Sequence, residues 1–168
     1  MPIERFPDAE AQCAELAELI RPRLTPGTML VGIHSGGAWI ARRLSELLGL
    51  PGEIGLIDVS FYRDDYGEKG LHPQVRPTSI PFDVENRPLI LVDDVLYTGR
   101  TTRAAINELF DYGRPASVRL AVLADRGGRE LPVAAEFCTW QVELDPREEL
   151  ILEPDDRGKL RWRLEKHA

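Results

Sequence analysis

Apolar residues fall along this chain in short runs of two kinds. Residues 9–20 place Cys13, Leu16, Leu19 and Ile20 at helical spacing, with Asp8 positioned to cap the helix and Pro22 to end it. Residues 29–33, Met-Leu-Val-Gly-Ile, are continuous and apolar, the pattern of a strand buried on both faces. His34-Ser35-Gly36-Gly37 follows. Residues 38–48 then return to helical spacing at Ile40, Ala41, Leu44, Leu47 and Leu48, closed by Gly49 and Pro51. Residues 54–61 read as a second strand, and 62–87 as a long polar stretch rich in Pro and Gly. Residues 88–92, Pro-Leu-Ile-Leu-Val, give the clearest buried strand, with Asp93-Asp94 at its carboxyl end. A helix over 101–112 stops at Gly113, and a strand over 117–124 precedes the polar loop 125–129. Shorter strand-like runs at 135–139, 141–144, 149–153 and 160–164 complete the chain.

Strands alternating with helices predict right-handed βαβ units. The expected fold is α/β, one domain over residues 1–168, with a mostly parallel central sheet flanked by helices. Ligands on such sheets bind at the carboxyl ends of the strands. Every irregular loop noted above falls at such an end. The stretch 62–87 is longer than compact domains ordinarily leave irregular, which points to a functional segment.

Composition narrows the class. Apolar residues make up 43% and charged residues 29%, as in a soluble globular protein. No apolar run reaches the roughly 18 residues of a membrane span, and the first residues lack a signal-peptide layout. Cys13 and Cys138 form neither a disulfide framework nor a CxxC metal signature, and read as buried thiols in a reducing, cytoplasmic setting. The net charge of −7 disfavours RNA or DNA as a partner, leaving RNA possible only through a local basic patch. An acidic protein can still bind phosphorylated small molecules through backbone amides and Mg²⁺.

The sharpest chemical signal is Leu89-Ile90-Leu91-Val92-Asp93-Asp94-Val95-Leu96-Tyr97-Thr98-Gly99-Arg100-Thr101-Thr102. An apolar strand delivers two adjacent carboxylates to its end, and a turn with Gly99 and three threonine hydroxyls opens the next helix. A helix N-terminus suits a phosphate monoester. The carboxylates suit sugar hydroxyls, the water shell of a metal, or a developing cation. An ordinary strand end with a helix cap would not need two Asp and Thr-Gly-Arg-Thr-Thr together. There is no G-x-x-x-x-G-K-[ST] and no G-x-G-x-x-G after a strand, so neither a P-loop nor a dinucleotide site is indicated. A receiver domain would carry its acidic pair after the first strand, whereas here it follows about the third.

Three other segments join it. Ser35-Gly36-Gly37 lets backbone amides approach an anion, as a diphosphate loop rather than a plain βα turn. Tyr62, Arg63 and Arg76 belong to the long polar stretch, read as a hood that keeps water from a reactive sugar. Arg126, Gly127 and Arg129, in Asp125-Arg126-Gly127-Gly128-Arg129-Glu130-Leu131-Pro132, offer planar partners to a flat base. Trp39, Trp140 and Trp162 read as core or interface, and His72 and His167 lack ligand-spaced companions.

The acidic-pair string resembles the PRPP motif of type I phosphoribosyltransferases (PRPP is 5-phosphoribosyl-1-diphosphate). Together with Leu30-Val31-Gly32-Ile33, Tyr62-Arg63-Asp64-Asp65, Gly113-Arg114-Pro115 and Leu120 to Pro132, it resembles the PyrR family of pyrimidine operon regulators that are also uracil phosphoribosyltransferases. The likeness spans roughly residues 9–153. It implies the type I phosphoribosyltransferase fold with a hood, Mg²⁺ held at Asp93 and Asp94 through water, and a homodimer or higher homo-oligomer. It implies the reaction of uracil with PRPP to give UMP and diphosphate. PRPP would be held by Ser35, Gly36, Gly37 and by Val95, Leu96, Tyr97, Thr98, Gly99, Arg100, Thr101 and Thr102, with Asp93 and Asp94 catalytic. Two departures stand out. The family's pyrophosphate loop usually carries Thr-Arg where this chain has Ser35-Gly36. Its RNA-binding face draws on basic and hydroxyl residues of the first helix and the C-terminal part, where this chain has Glu10, Glu15 and Glu18 and the tail Asp145-Pro146-Arg147-Glu148-Glu149. Two alternatives follow, an RNA-binding attenuator with little catalysis and a phosphoribosyltransferase for another base. A catalytically dead scaffold is disfavoured by the intact acidic pair.

Overall fold

The computed structural model describes residues 6–60 and 78–168. Helix α1 (Ala9–Ile20) starts where Asp8 accepts the amides of Glu10 at 2.9 Å and Ala11 at 3.3 Å. A short 3-10 turn at Arg21–Arg23 carries Pro22 and leads to strand β1 (Met29–Ile33). Helix α2 (Gly36–Leu48) ends on Gly49 at φ 63°, a left-handed cap. Strand β2 (Gly55–Ile57), β3 (Pro88–Leu96), α3 (Arg100–Leu109), β4 (Ser117–Asp125) and β5 (Phe137–Gln141) follow. An antiparallel hairpin, β6 (Glu148–Pro154) and β7 (Leu160–Lys166), completes the chain.

Strands β1 to β5 form one parallel sheet in the order β2-β1-β3-β4-β5. Alternation along each strand divides the core. Leu30, Ile90, Val92, Ala121 and Leu123 pack with α1, α2 and the hairpin's Leu150, Leu152, Leu160 and Trp162. Val31, Leu89, Leu91, Leu120 and Val122 pack with Ala104, Ala105 and Leu109 of α3. The chain leaves β1 for β2 on one side and returns to β3 on the other. The carboxyl ends of β1 and β3 are therefore a topological switch point, where sheets of this kind open a binding crevice.

Several boundaries differ from the sequence expectations. Strand β3 continues through the acidic pair to Leu96 because β4 offers it partners, Val95 against Ala124 and Leu96 against Asp125. Helix α2 begins two residues early, at Gly36. Strand β2 is only three residues long, since the His34 amide takes the Ile57 carbonyl and Asp58 turns back to the Ser60 amide. Residues 135–144 hold one strand where two were expected.

The hairpin docks through a buried polar chain. Trp162 Nε1 donates to Gln12 Oε1 at 2.6 Å, Gln12 Nε2 reaches Thr139 Oγ1 at 3.3 Å, and Thr139 donates to the Leu123 carbonyl at 2.8 Å. Trp140 lies 5.7 Å from Trp162, so these rings are packing elements, as expected. Glu10 on α1 accepts from Arg43 and from the Leu160 amide, both at 2.7 Å. Burial alone would raise the Glu10 carboxyl, but these donors outweigh it and hold it below the usual carboxylate range.

Candidate active site

A loop, the end of β3 and the turn after it meet at the switch point. The first follows β1, where Ser35 stands at the N-cap position of α2 without a side-chain capping bond and Gly36-Gly37 fill its first turn. Helix geometry leaves those first amides without an intrahelical acceptor, since the first bonds run from Ala38 and Trp39 to the Ser35 carbonyl. Close packing explains the glycines. A Cβ at Gly37 would fall 3.0 Å from the Val92 carbonyl carbon and 3.1 Å from Asp93 Cα, so α2 lies directly on β3. A Cβ at Gly36 would fall 2.8 Å from Asp94 Cγ, so the first loop and the acidic pair touch.

The acidic pair is the second component. Asp93 is buried at 5% exposure and accepts the Asp94 amide at 2.8 Å. Asp94 is half-buried and accepts the Val95 amide at 2.8 Å through one carboxylate oxygen. A carboxylate as buried as Asp93 is rare unless it is paired or functional.

The third component is the turn Tyr97–Gly99 into α3. Gly99 takes φ 92°, a conformation that favours glycine. Thr98 Oγ1 accepts the Arg100 amide at 3.2 Å, and the first intrahelical bond runs from Arg103 to the Gly99 carbonyl. The amides of Thr101 and Thr102 lie in the helix's unsatisfied first turn, at the positive end of its dipole. Thr98 and Thr102 are buried and Thr101 is half-buried. The turn therefore presents hydroxyls and backbone amides with no carboxylate inside it, which suits a phosphate monoester.

The loop after β4 packs against this turn. Arg126 N donates to the Leu96 carbonyl at 3.0 Å, and the amides of Glu130 and Leu131 donate to the Thr98 carbonyl at 2.9 and 3.1 Å. Gly127 stands open at φ 71°. Arg126 stacks 3.9 Å over the Tyr97 ring and donates to the carbonyls of Glu148 and Asp145. Arg129 is likewise bound to carbonyls and to Asp125. Of the expected site residues, the structure thus brings Ser35, Gly36 and Gly37 together with Asp93, Asp94 and the turn 95–102. It sets Gly127 beside them and commits the guanidiniums of Arg126 and Arg129 to the protein itself. Tyr62, Arg63 and Arg76 lie outside the described residues. The roles of Glu130 and Leu131 in bracing the turn were not legible in the sequence. Only the adjacency of Leu96 and Asp125 in the β3–β4 register reveals them.

Among the described residues, no group of three or more His, Cys, Asp or Glu side chains could hold a metal ion. The adjacent carboxylates nonetheless fit Mg²⁺, a hard cation held through one or two carboxylates with substrate phosphates and water completing its shell.

A parallel sheet with an acidic pair at its switch point and a turn suited to a phosphate monoester point to a phosphoribosyltransferase, and a family model described as the phosphoribosyl transferase domain matches residues 3–147. Solved structures agree on the fold. A hypoxanthine-guanine phosphoribosyltransferase from Bacillus anthracis superposes with a TM-score of 0.64 at 19% identity, covering 83% of this chain and 80% of that one. The hypoxanthine phosphoribosyltransferase of Trypanosoma cruzi gives 0.59 at 22% identity, covering 80% and 77%. More specifically, the chain is 54% identical to the bifunctional protein PyrR of Ralstonia nicotianae over 155 residues, covering 90% of this chain and 88% of that one. It is 51% identical to the PyrR of Pseudomonas aeruginosa over 142 residues, covering 82% and 80%. The chain belongs to the PyrR family.

Proposed function

We propose that this protein is a uracil phosphoribosyltransferase, joining uracil to the ribose of PRPP to form UMP and diphosphate. The observation that carries the phosphoribosyl transfer is the turn Tyr97–Thr102 at the tip of β3, directly beside Asp93 and Asp94 at the switch point, and the choice of uracil rests on the likeness to the PyrR family. The turn holds the 5-phosphate through the hydroxyls of Thr98, Thr101 and Thr102 and the first amides of α3. The amides around Ser35 to Gly37 hold the diphosphate. Asp93 and Asp94 hold the ribose hydroxyls and stabilise the positive charge that grows on the ring as the bond to diphosphate lengthens. Asp93 and Asp94 would also hold Mg²⁺, which when bound would supply charge neutralisation for the departing diphosphate. Catalysis is then mainly positioning and electrostatics. Because Arg126 and Arg129 are engaged elsewhere, backbone groups of their loop, Gly127 among them, face the base.

Initial rates with uracil, hypoxanthine, guanine and orotate at fixed PRPP test this reading. Turnover selective for uracil is expected. Selective turnover of a purine or of orotate would replace uracil, and no turnover with any base would reject the enzyme reading.

A second, regulatory activity is suggested by the name of the relatives, bifunctional protein PyrR. The charges here oppose a strong RNA contact, since Arg43 pairs with Glu10, Arg21 with Glu18, Arg119 with Glu136, and Arg161 and Arg163 with Glu153. Filter binding to a pyrimidine leader RNA, with and without UMP, is expected to show little retention. Tight, UMP-dependent retention would make regulation the principal role.

A further inference from the structure

Arg129 has the position of a rivet between two halves of the site. Its Nε donates to the Val133 carbonyl at 2.8 Å. One terminal nitrogen donates to the Tyr97 carbonyl at 2.7 Å and to Gly127 at 3.3 Å, and the other meets the Asp125 carboxylate at 2.5 Å. Its side chain is only 25% exposed although it lies in a surface loop. Around it the loop is joined to the end of β3 and the turn by three hydrogen bonds, from the Arg126 amide to the Leu96 carbonyl and from the Glu130 and Leu131 amides to the Thr98 carbonyl, and by Arg100 on Glu130 at 2.8 Å. A Cβ at Gly128 would lie 2.5 Å from the edge of the Tyr97 ring, so the loop backbone presses on that ring while Arg126 covers its face.

We propose that Arg129 is a positioning residue that makes the loop 125–133 and the phosphate turn 97–102 one rigid body. It would thereby fix the separation at which the base meets the ribose phosphate. This rests on reading the site as a phosphoribosyltransferase with its base on the loop after β4. The planar fork is needed because its acceptors lie in different directions, on Val133, Tyr97 and Asp125. A lysine ammonium, a point donor on a flexible stem, cannot span them. A ligand that touches only the turn does not sense the joint. A ligand that spans turn and loop does, because its own covalent length fixes the separation it requires. Bringing two reacting groups to a set distance likewise depends on that joint.

The test compares UMP, which spans both halves, with ribose 5-phosphate, which reaches the turn and the acidic pair but not the loop after β4. Affinities for each are measured by calorimetry in the intact protein, in Arg129→Lys and in Arg129→Gln, with melting temperature recorded in parallel. The expected result is a rise of about 10- to 100-fold in the Kd for UMP, with ribose 5-phosphate changing less than about threefold. Arg129→Lys keeps the charge and the packed stem, so it decides the matter if Arg129→Gln does not fold. Loss of affinity for both ligands in parallel, or for neither, would overturn the proposal. If the intact protein binds IMP, GMP or orotidine monophosphate more tightly than UMP, the choice of uracil fails. The same ratio, read with that nucleotide, then decides the role of Arg129. If no nucleotide binds more tightly than ribose 5-phosphate, the base does not sit on this loop and the proposal falls.

Discussion

Gly36→Ala tests how closely the diphosphate loop and the acidic pair are fitted. The added Cβ would stand 2.8 Å from Asp94 Cγ and 2.9 Å from Asp94 Cβ. Carbon atoms in favourable contact stand about 3.5–4.0 Å apart, so the Asp94 side chain must retreat by at least about 0.7 Å. In doing so it strains or breaks the bond from the Val95 amide, now 2.8 Å. For a half-exposed carboxylate that loss is about 1–2 kcal/mol. Replacing glycine by alanine within a helix returns about 0.5–1 kcal/mol. The net destabilisation is therefore at most about 1.5 kcal/mol, a fall in Tm of up to about 6 °C for a chain of this size. Activity should suffer more. A catalytic group misplaced by nearly 1 Å costs on the order of 100-fold, so kcat should fall by about 10- to 100-fold. Differential scanning fluorimetry and a diphosphate-release assay at saturating PRPP and uracil measure the two effects. Gly37→Ala is the contrast, since its Cβ meets the backbone of Val92 and Asp93, which cannot rotate aside. That variant should lose stability first. A Gly36→Ala protein within threefold of the parent kcat would refute the claim that the Asp94 rotamer is part of the working site.

Further expectations concern single residues. Asp93→Asn and Asp94→Asn should lower kcat more than they weaken PRPP binding, and unchanged kcat with a large rise in KM would assign these carboxylates to ground-state binding alone. Glu10→Gln should lower Tm by roughly 2–4 °C at pH 7, about 1 kcal/mol, as the bonds to Arg43 and the Leu160 amide weaken. Because the folded Glu10 carboxyl is depressed below its ordinary 4.5, that stabilisation is complete above that value and fades as pH falls through the lower, folded one. The gap between the two proteins should therefore narrow in melting curves as the pH is lowered from 4.5 through the depressed folded value, and a gap that widened on acidification would contradict the assignment. The Cys13 thiol, pushed up to about 12 mainly by burial, should resist Ellman's reagent at pH 8 until denaturant is added. Prompt labelling of Cys13 in the native protein would place α1 more loosely on the sheet than described.

Local patterns carried much of this fold. The runs at 29–33 and 88–92 are buried on both sides of a parallel sheet, and such strands need no alternation to be recognised. Asp8 marked the start of α1 because its carboxylate does the same work in any sequence. The acidic pair with its threonines was legible because few other structures need that string. What the sequence could not reveal depends on pairing across distance. The order β2-β1-β3-β4-β5, which creates the switch point, is fixed by tertiary packing. The continuation of β3 to Leu96 depends on the length of β4. An arginine that contacts a ligand and one that ties down carbonyls are the same letter, so Arg126 and Arg129 could be located but not assigned partners. Trp162 likewise looked like generic core, while its indole N–H closes a buried chain through Gln12 to Thr139.

A crystal structure with Mg²⁺ and UMP measures the central claim most directly. The account predicts the phosphate inside the Tyr97–Thr102 turn, within hydrogen-bond distance of the threonine hydroxyls and the first amides of α3, with the ribose over Asp93 and Asp94. A nucleotide bound elsewhere, or a turn left empty at saturating UMP, would contradict it.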